Sequence, residues 1–177
     1  MRIPFDGSDP EVADDAYVSR TAVLSGDVAV ASGASVWPLV SLRGDRGPVA
    51  VGEETNVQEF TTLHGAELGD RVSVGHGAVV DFATVADDVL VGMQSSVLQG
   101  ATVESNCLVA ANAVVPSGTT VPEGHLAYGT PAETRPLTDG QREQISQVHE
   151  HYATLSKRFA RAETDAYRVP PERGSEE

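Results

Sequence analysis

The sequence has a single cysteine, Cys107, and a single lysine, Lys157, among its 177 residues. A lone cysteine excludes an internal disulfide and gives no reason to invoke an oxidising compartment. Long apolar runs are missing as well. The opening M-R-I-P-F-D-G-S-D-P lacks the apolar stretch of a signal peptide, and no window approaches the about 18 consecutive apolar residues that read as a membrane span. The expectation is a soluble, cytoplasmic chain of one domain plus a tail.

Positive charge is equally scarce. Twelve basic residues, eleven of them arginine, stand against 26 acidic ones, for a formal net charge of -14. Such a surface should repel nucleic acid and anionic membranes, so neither is an expected partner. The same excess costs self-repulsion in ordinary buffer but keeps a chain soluble at high salt, where the Debye length falls to about 3 Å at 1 M. We read it as a halophilic trait, an adaptation to a salty cytoplasm.

What the chain has in abundance is a repeat of six. Val18, Leu24, Val30, Val36 and Leu42 are six apart, as are Val51, Val57 and Leu63, then Leu68, Val74 and Val80. The longest run is Val85, Val91, Val97, Val103, Val109, Val115 and Val121. The residue two places earlier is small or β-branched, as at Ala22, Ala34, Thr55, Thr61, Ala83 and Cys107. A helix repeats near 3.6 residues and a lone strand at 2, so neither explains a strict six. A β-helix of hexapeptide repeats does, with one short strand and one turn per repeat. Three hexads make a triangular coil with Val or Leu filling the axis at each corner, and the intervals build nearly six coils. Cys107 falls at a small inward position and reads as packing.

Three intervals break the rule: nine residues from Leu42 to Val51, five from Leu63 to Leu68 and five from Val80 to Val85. The candidate chemistry lies beside them. Three intervals return the chain to the same face one strand spacing higher, roughly 4.8 Å. Arg43, His64 and Asp81 each follow an inward Leu or Val, three intervals apart, and so form one column. Gln58 and His76 fall together near a different corner, well over ~10 Å away at about 3.3 Å per strand residue. One chain cannot bring His64 and His76 onto one ion. A three-fold homotrimer can, by setting one corner of each prism against a different corner of its neighbour.

After the array, P-A-E-T-R-P is expected to stop strand formation, and T-D-G-Q offers a capping box with Thr138 as N-cap and Gln141 three later. Ile145, Val148, Tyr152, Leu155 and Phe159 then form an apolar stripe for a helix packed along the prism or on a neighbouring subunit. The division expected is 1–136 for the β-helix with an N-terminal lead-in, and 137–177 for an amphipathic helix and tail. The segment beyond about Thr164 is expected to be mobile or loosely docked. His125 reads as part of a turn, and His149 and His151 as solvated helix residues.

R-G-D at Arg43 to Asp45, N-V-Q-E at Asn56 to Glu59, L-H-G at Leu63 to Gly65 and V-G-H-G-A-V at Val74 to Val79 resemble the gamma-class carbonic anhydrases. V-L-V-G-M from Val89 to Met93 and Y-G-T-P-A from Tyr128 to Ala132 extend the resemblance over the whole array. It implies an all-β fold, a left-handed parallel β-helix with a C-terminal α-helix, an exception to the usual crossover hand. It also implies a trimer with Zn²⁺, or Fe²⁺ or Co²⁺, at each subunit interface. His64 and His76 match two ligands, Arg43 and Asp45 match the pair that stabilises the subunit contact, and Gln58 matches the residue that orients metal-bound water. Asn56 and Tyr128 are supporting candidates.

The third ligand position, five residues after His76, holds Asp81 where the family has histidine. Two histidines and a carboxylate still leave zinc an open position, but a carboxylate makes the metal a weaker Lewis acid. The reading is a carbonic anhydrase-like lyase that interconverts CO₂ and bicarbonate by metal-bound hydroxide, with lowered activity or activity only at higher pH. The acidic shuttle loop of the most active relatives is reduced here to Glu67. Two alternatives stand beside it: acyl transfer, which the same fold hosts, and a trimeric scaffold without metal chemistry.

Overall fold

The computed structural model of the chain describes residues 1–166, with side chains through 162. It is a left-handed parallel β-helix of about seven turns, closed on one side by a single C-terminal helix. Each face is a ladder of very short parallel strands. On the first face Leu24, Leu42, Leu63, Val80, Val97 and Val115 stand in register. The second face stacks Val12, Val30, Val51, Leu68, Val85, Val103 and Val121. The third stacks Val18, Val36, Val57, Val74, Val91, Val109 and Ala127.

The inward Val and Leu side chains lie on the flat faces, not at the corners. In a two-residue strand such as Ser35–Val36 only alternate side chains can face the axis, and the bend comes later. Corner residues take a left-handed backbone three places after the Val or Leu, as at Leu39 (φ 62°), Asp88 (φ 57°), Asn106 (φ 57°) and Asn112 (φ 60°). Asn and Asp tolerate that conformation through local hydrogen bonding, which makes them apt corner residues. Polar side chains that point inward are satisfied by the rung above: Thr55 Oγ1 donates to Gly69 O at 2.7 Å, and Thr61 Oγ1 to Gly75 O at 3.1 Å. Cys107 is fully buried, donates to Pro122 O at 3.0 Å, and has its thiol pushed up from the ordinary range by burial. Packing is its role.

The array is longer than the six-residue count alone gives. Arg2–Ile3 and Glu11–Val12, expected as a lead-in, pair with the long strand Val23–Val30 and begin the first turn. P-A-E-T-R-P does not end strand formation either. Glu133–Pro136 folds back antiparallel on His125–Tyr128, with Pro136 at the strand end where a missing N–H costs least. His125 accordingly opens a strand, its Nδ1 2.8 Å from Glu123 O.

Helix α1 spans Asp139–Ala166 and begins at the expected capping box: Thr138 N donates to Gln141 Oε1 at 3.1 Å and Gln141 N to Thr138 Oγ1 at 3.4 Å. Its apolar stripe packs on its own prism. Ile145 and Val148 join Leu90, Leu108 and Leu126 of the upper third face, whereas the rings of Tyr152 and Phe159 meet the buried Trp37 edge-on at 5.3 and 5.1 Å. The helix therefore descends antiparallel to the rising coils. Its last turn extends past Thr164, and the expectation of a mobile V-P-P-E-R-G-S-E-E segment lies outside the described residues.

Candidate metal centre

The nine-residue interval is not a loop. Ser41–Val51 runs as one strand around the corner beside Val23–Val30, with a register shift between Gly26 and Val28. Gly44 is required at this bend, because a Cβ there would fall 2.0 Å from Asp27 O. The bend sends Arg43 and Asp45 outward on the same side, where Arg43 Nε lies 3.2 Å from Asp45 Oδ1.

The two five-residue intervals make a tighter corner one residue early, at Gly65 (φ 54°) and Phe82 (φ 45°). A phenylalanine at positive φ is uncommon and strained. Here its ring is held by close packing: it lies edge-on to the His64 imidazole with centroids 4.4 Å apart. A Cβ on Gly65 would meet that ring at 2.5 Å, so Gly65 and Phe82 fit together. Phe82 thus walls one side of His64.

Register brings the first predicted column together: Arg43 pairs with His64, and His64 with Asp81, on successive rungs. His64 is 9% exposed, with Nδ1 2.8 Å from Asp81 Oδ1 and Nε2 3.1 Å from Asp45 Oδ1. Arg43 Nη2 stands 2.9 Å from Nε2 and 3.2 Å from Nδ1. Two carboxylates and one guanidinium surround the imidazole, so the cup carries excess negative charge and suits a cation. The guanidinium of Arg43, whose side chain is 51% exposed, occupies the cationic place in the single chain.

The other predicted group lies on the third-face edge. Gln58 is in register with Gly75, and His76 follows one residue later, above Glu59. Gln58 is 3% exposed; its Nε2 donates to Asn56 Oδ1 at 3.1 Å, and Asn56 Nδ2 donates to Ser73 Oγ at 2.7 Å. This fixes the amide orientation of both residues. Tyr128 is elsewhere: it stands four rungs above Gln58, roughly 19 Å at 4.8 Å per rung, with its hydroxyl 3.4 Å from Glu133. Within one chain it does not join the group.

Glu59 and Tyr152 join His76, and sequence reasoning assigned neither to the site. Glu59 Oε2 is 2.8 Å from His76 Nδ1, at ion-pair distance but without hydrogen-bond alignment, so that oxygen is a buried acceptor with no hydrogen bond. The Tyr152 hydroxyl lies 3.3 Å from His76 Nε2, and burial, then the Glu59 charge, push its phenol above the ordinary range. Glu59 adjoins Gln58 in the motif and could have been suspected. Tyr152 reads in sequence as one more stripe residue, 76 positions away.

Gln58, His76, Met93 and Tyr152 border a cavity of about 290 Å³ between α1 and the third face, otherwise lined mainly by Leu90, Val91, Leu108 and Val148. Among the described residues, no group of three or more His, Cys, Asp or Glu side chains within one chain is arranged to hold a metal ion. His64 and Asp81 supply one nitrogen and one oxygen donor, a set suited to a borderline divalent ion. A third donor has to come from elsewhere.

No helix among the described residues is long and apolar enough to cross a membrane. The chain is similar to gamma carbonic anhydrase 2, mitochondrial, of Arabidopsis thaliana, with 37% identity over 165 residues. That match covers 86% of this chain and 59% of the relative, so the chain spans less than two thirds of its length. A carbonic anhydrase of Geobacillus kaustophilus is 35% identical over 158 residues, covering 86% of this chain and 87% of that one. Among solved structures, a hexapeptide transferase family protein from Anaplasma phagocytophilum has a TM-score of 0.86 at 32% identity, covering 89% and 96% of the two chains. No family model matches the chain.

Proposed function

The chain belongs to the gamma carbonic anhydrase family of hexapeptide-repeat proteins, and from that premise we propose that it is a homotrimeric metalloenzyme of the cytoplasm. Its reaction is the reversible hydration of CO₂ to bicarbonate at sites shared between subunits. The observation that carries this reading is the in-register pair of His64 and Asp81, 2.8 Å apart at the rim of a net-negative cup.

His64 and Asp81 of one subunit, with His76 of the partner subunit, would hold the divalent ion, Zn²⁺ or alternatively Fe²⁺ or Co²⁺. When bound, such an ion supplies a Lewis acid that makes water nucleophilic near neutral pH. Glu59 steadies His76 from the Nδ1 side, which leaves Nε2, now facing the Tyr152 hydroxyl, as the coordinating nitrogen. Gln58, anchored through Asn56, has its amide oxygen left to accept a hydrogen bond from water and orient it. The apolar lining from Leu90 to Met93 suits an uncharged substrate such as CO₂. Arg43 leaves the cup when it pairs across the interface with Asp45.

The edge that bears His76 also exposes Leu39 (54%), Phe60 (65%) and Met93 (53%). Neighbouring exposed apolar side chains of this size mark a surface that another molecule covers, and a second copy would bring its own His64 column there. Acyl transfer draws support from the fold and from solved relatives named as transferases, such as the Anaplasma phagocytophilum protein. His125, the spare base considered for it, lies in the terminal hairpin with Nδ1 against Glu123 O.

Purified, chelator-free protein is expected to carry about one divalent ion per chain and to hydrate CO₂, and His64→Ala to lose both. Metal-free trimers without activity would favour the scaffold reading.

A further inference from the structure

A second cavity, also about 290 Å³, opens on the opposite side of α1, between its upper half and the corner joining the second and third faces. That corner stacks residues in left-handed backbone conformation, Glu54, Arg71, Asp88 and Asn106, one per turn. The helix sets Arg142, Ser146 and His149, spaced to share one face, against this column.

The groups lining the cavity divide into spent and unspent. Arg71 and Asp88 neutralise each other through paired contacts, Nε to Oδ1 at 2.7 Å and Nη2 to Oδ2 at 2.8 Å. Arg142, Ser146 and Asn106 are exposed, and among the described residues their side chains make no hydrogen bond or ion pair. His149, expected from sequence to be solvated, has a side chain only 15% exposed; its Nε2 is 3.6 Å from Glu54 Oε2, and its Nδ1 is buried with no hydrogen-bond partner. A guanidinium, an amide, a hydroxyl and a ring nitrogen thus line one space together with Glu150, while Glu54, Asp70 and Asp87 stand close to its His149 and Arg71 walls. Buried polar nitrogens without partners are rare because each costs its full desolvation. In a chain of net charge -14 this concentration of donors is anomalous.

We propose that this cavity is a binding site for a small oxyanion, a carboxylate or a phosphate, which the forked guanidinium of Arg142 holds in two-point contact while the side chains of Asn106, Ser146 and His149 surround it. The site is separate from the His64 and His76 groups and does not depend on their chemistry.

The test is calorimetric titration of the full-length protein with inorganic phosphate and, separately, with acetate, each at constant ionic strength against chloride. The expected result is saturable binding of one of the two, about one per chain, at least tenfold weaker in Arg142→Gln and in His149→Gln and undiminished in His64→Ala. Response to phosphate alone, or to acetate alone, identifies the occupant. Should either variant fail to fold, the wild-type melting temperature serves instead, rising selectively with the bound anion and not with chloride. No response beyond chloride, or equal binding in Arg142→Gln and His149→Gln, would overturn the assignment.

Discussion

Asp81 Oδ1 lies 2.8 Å from Nδ1 of His64, one rung above it on the first face of the prism. The contact is imposed by backbone register, so a side chain at position 81 cannot avoid the His64 environment. Replacing Asp81 with histidine keeps a donor in that place and removes its negative charge. The proposed metal centre then becomes a stronger Lewis acid. Asp81→His is expected to raise CO₂ hydration and move its pH profile downward, read by stopped-flow over a pH series. An unchanged profile would count against coordination by Asp81.

In the proposed mechanism Gln58 acts on water, not on the ion. Its buried amide is oriented by its hydrogen bond to Asn56. Gln58→Ala should therefore lower kcat by about 10- to 100-fold, within the range for loss of one preorganised hydrogen bond, while metal content by elemental analysis stays at the wild-type level. A parallel loss of metal would recast Gln58 as structural.

The apolar edge gives a prediction about assembly. Phe60 is 65% exposed in the single chain and sits at a corner in a left-handed conformation (φ 64°) that a glutamate, Glu54 (φ 55°), adopts at another corner. Phe60→Glu should leave the far-ultraviolet spectrum of the β-helix intact and convert trimers to monomers in sedimentation, with activity lost. Trimers that persist would place the interface elsewhere.

Stability should follow the ladder. Leu42 is fully buried on the first face, so Leu42→Ala is expected to cost about 2–5 kcal/mol in denaturant unfolding at fixed protein concentration. Arg71 contributes less, because both it and Asp88 are more than a third exposed. Its hydrogen bonds hold the Asp88 carboxyl below the usual carboxylate range. A depressed folded-state pKa stabilises above the unfolded value near ~4 and loses that effect as pH falls through the folded value. Arg71→Gln should accordingly cost at most ~1 kcal/mol at neutral pH, with the difference narrowing in acid.

The spacing of Val and Leu made the fold and the first column legible, because register in a β-helix follows from counting. Leu42, Leu63 and Val80 place Arg43, His64 and Asp81 by arithmetic alone. The same counting misplaced the corners, since periodicity reports which side chains face inward but not where the backbone turns. It also missed the first turn, where Arg2–Ile3 and Glu11–Val12 pair without the six-residue signature. Tyr152 and His149 were hidden for a different reason. Their partners, His76 and Glu54, are met only once the helix folds back over the prism, and no local pattern encodes that docking. Phe82 was obscured by its interval: one residue fewer at the corner turns its ring onto His64.

The decisive measurement is a crystal structure of the assembled, metal-loaded protein with anomalous scattering collected at the metal edge. One peak per subunit interface is expected, within ~2.0–2.2 Å of donor atoms from His64 and Asp81 of one subunit and His76 of the partner subunit. An assembly that holds these three side chains apart, with no anomalous peak between them, would contradict the account.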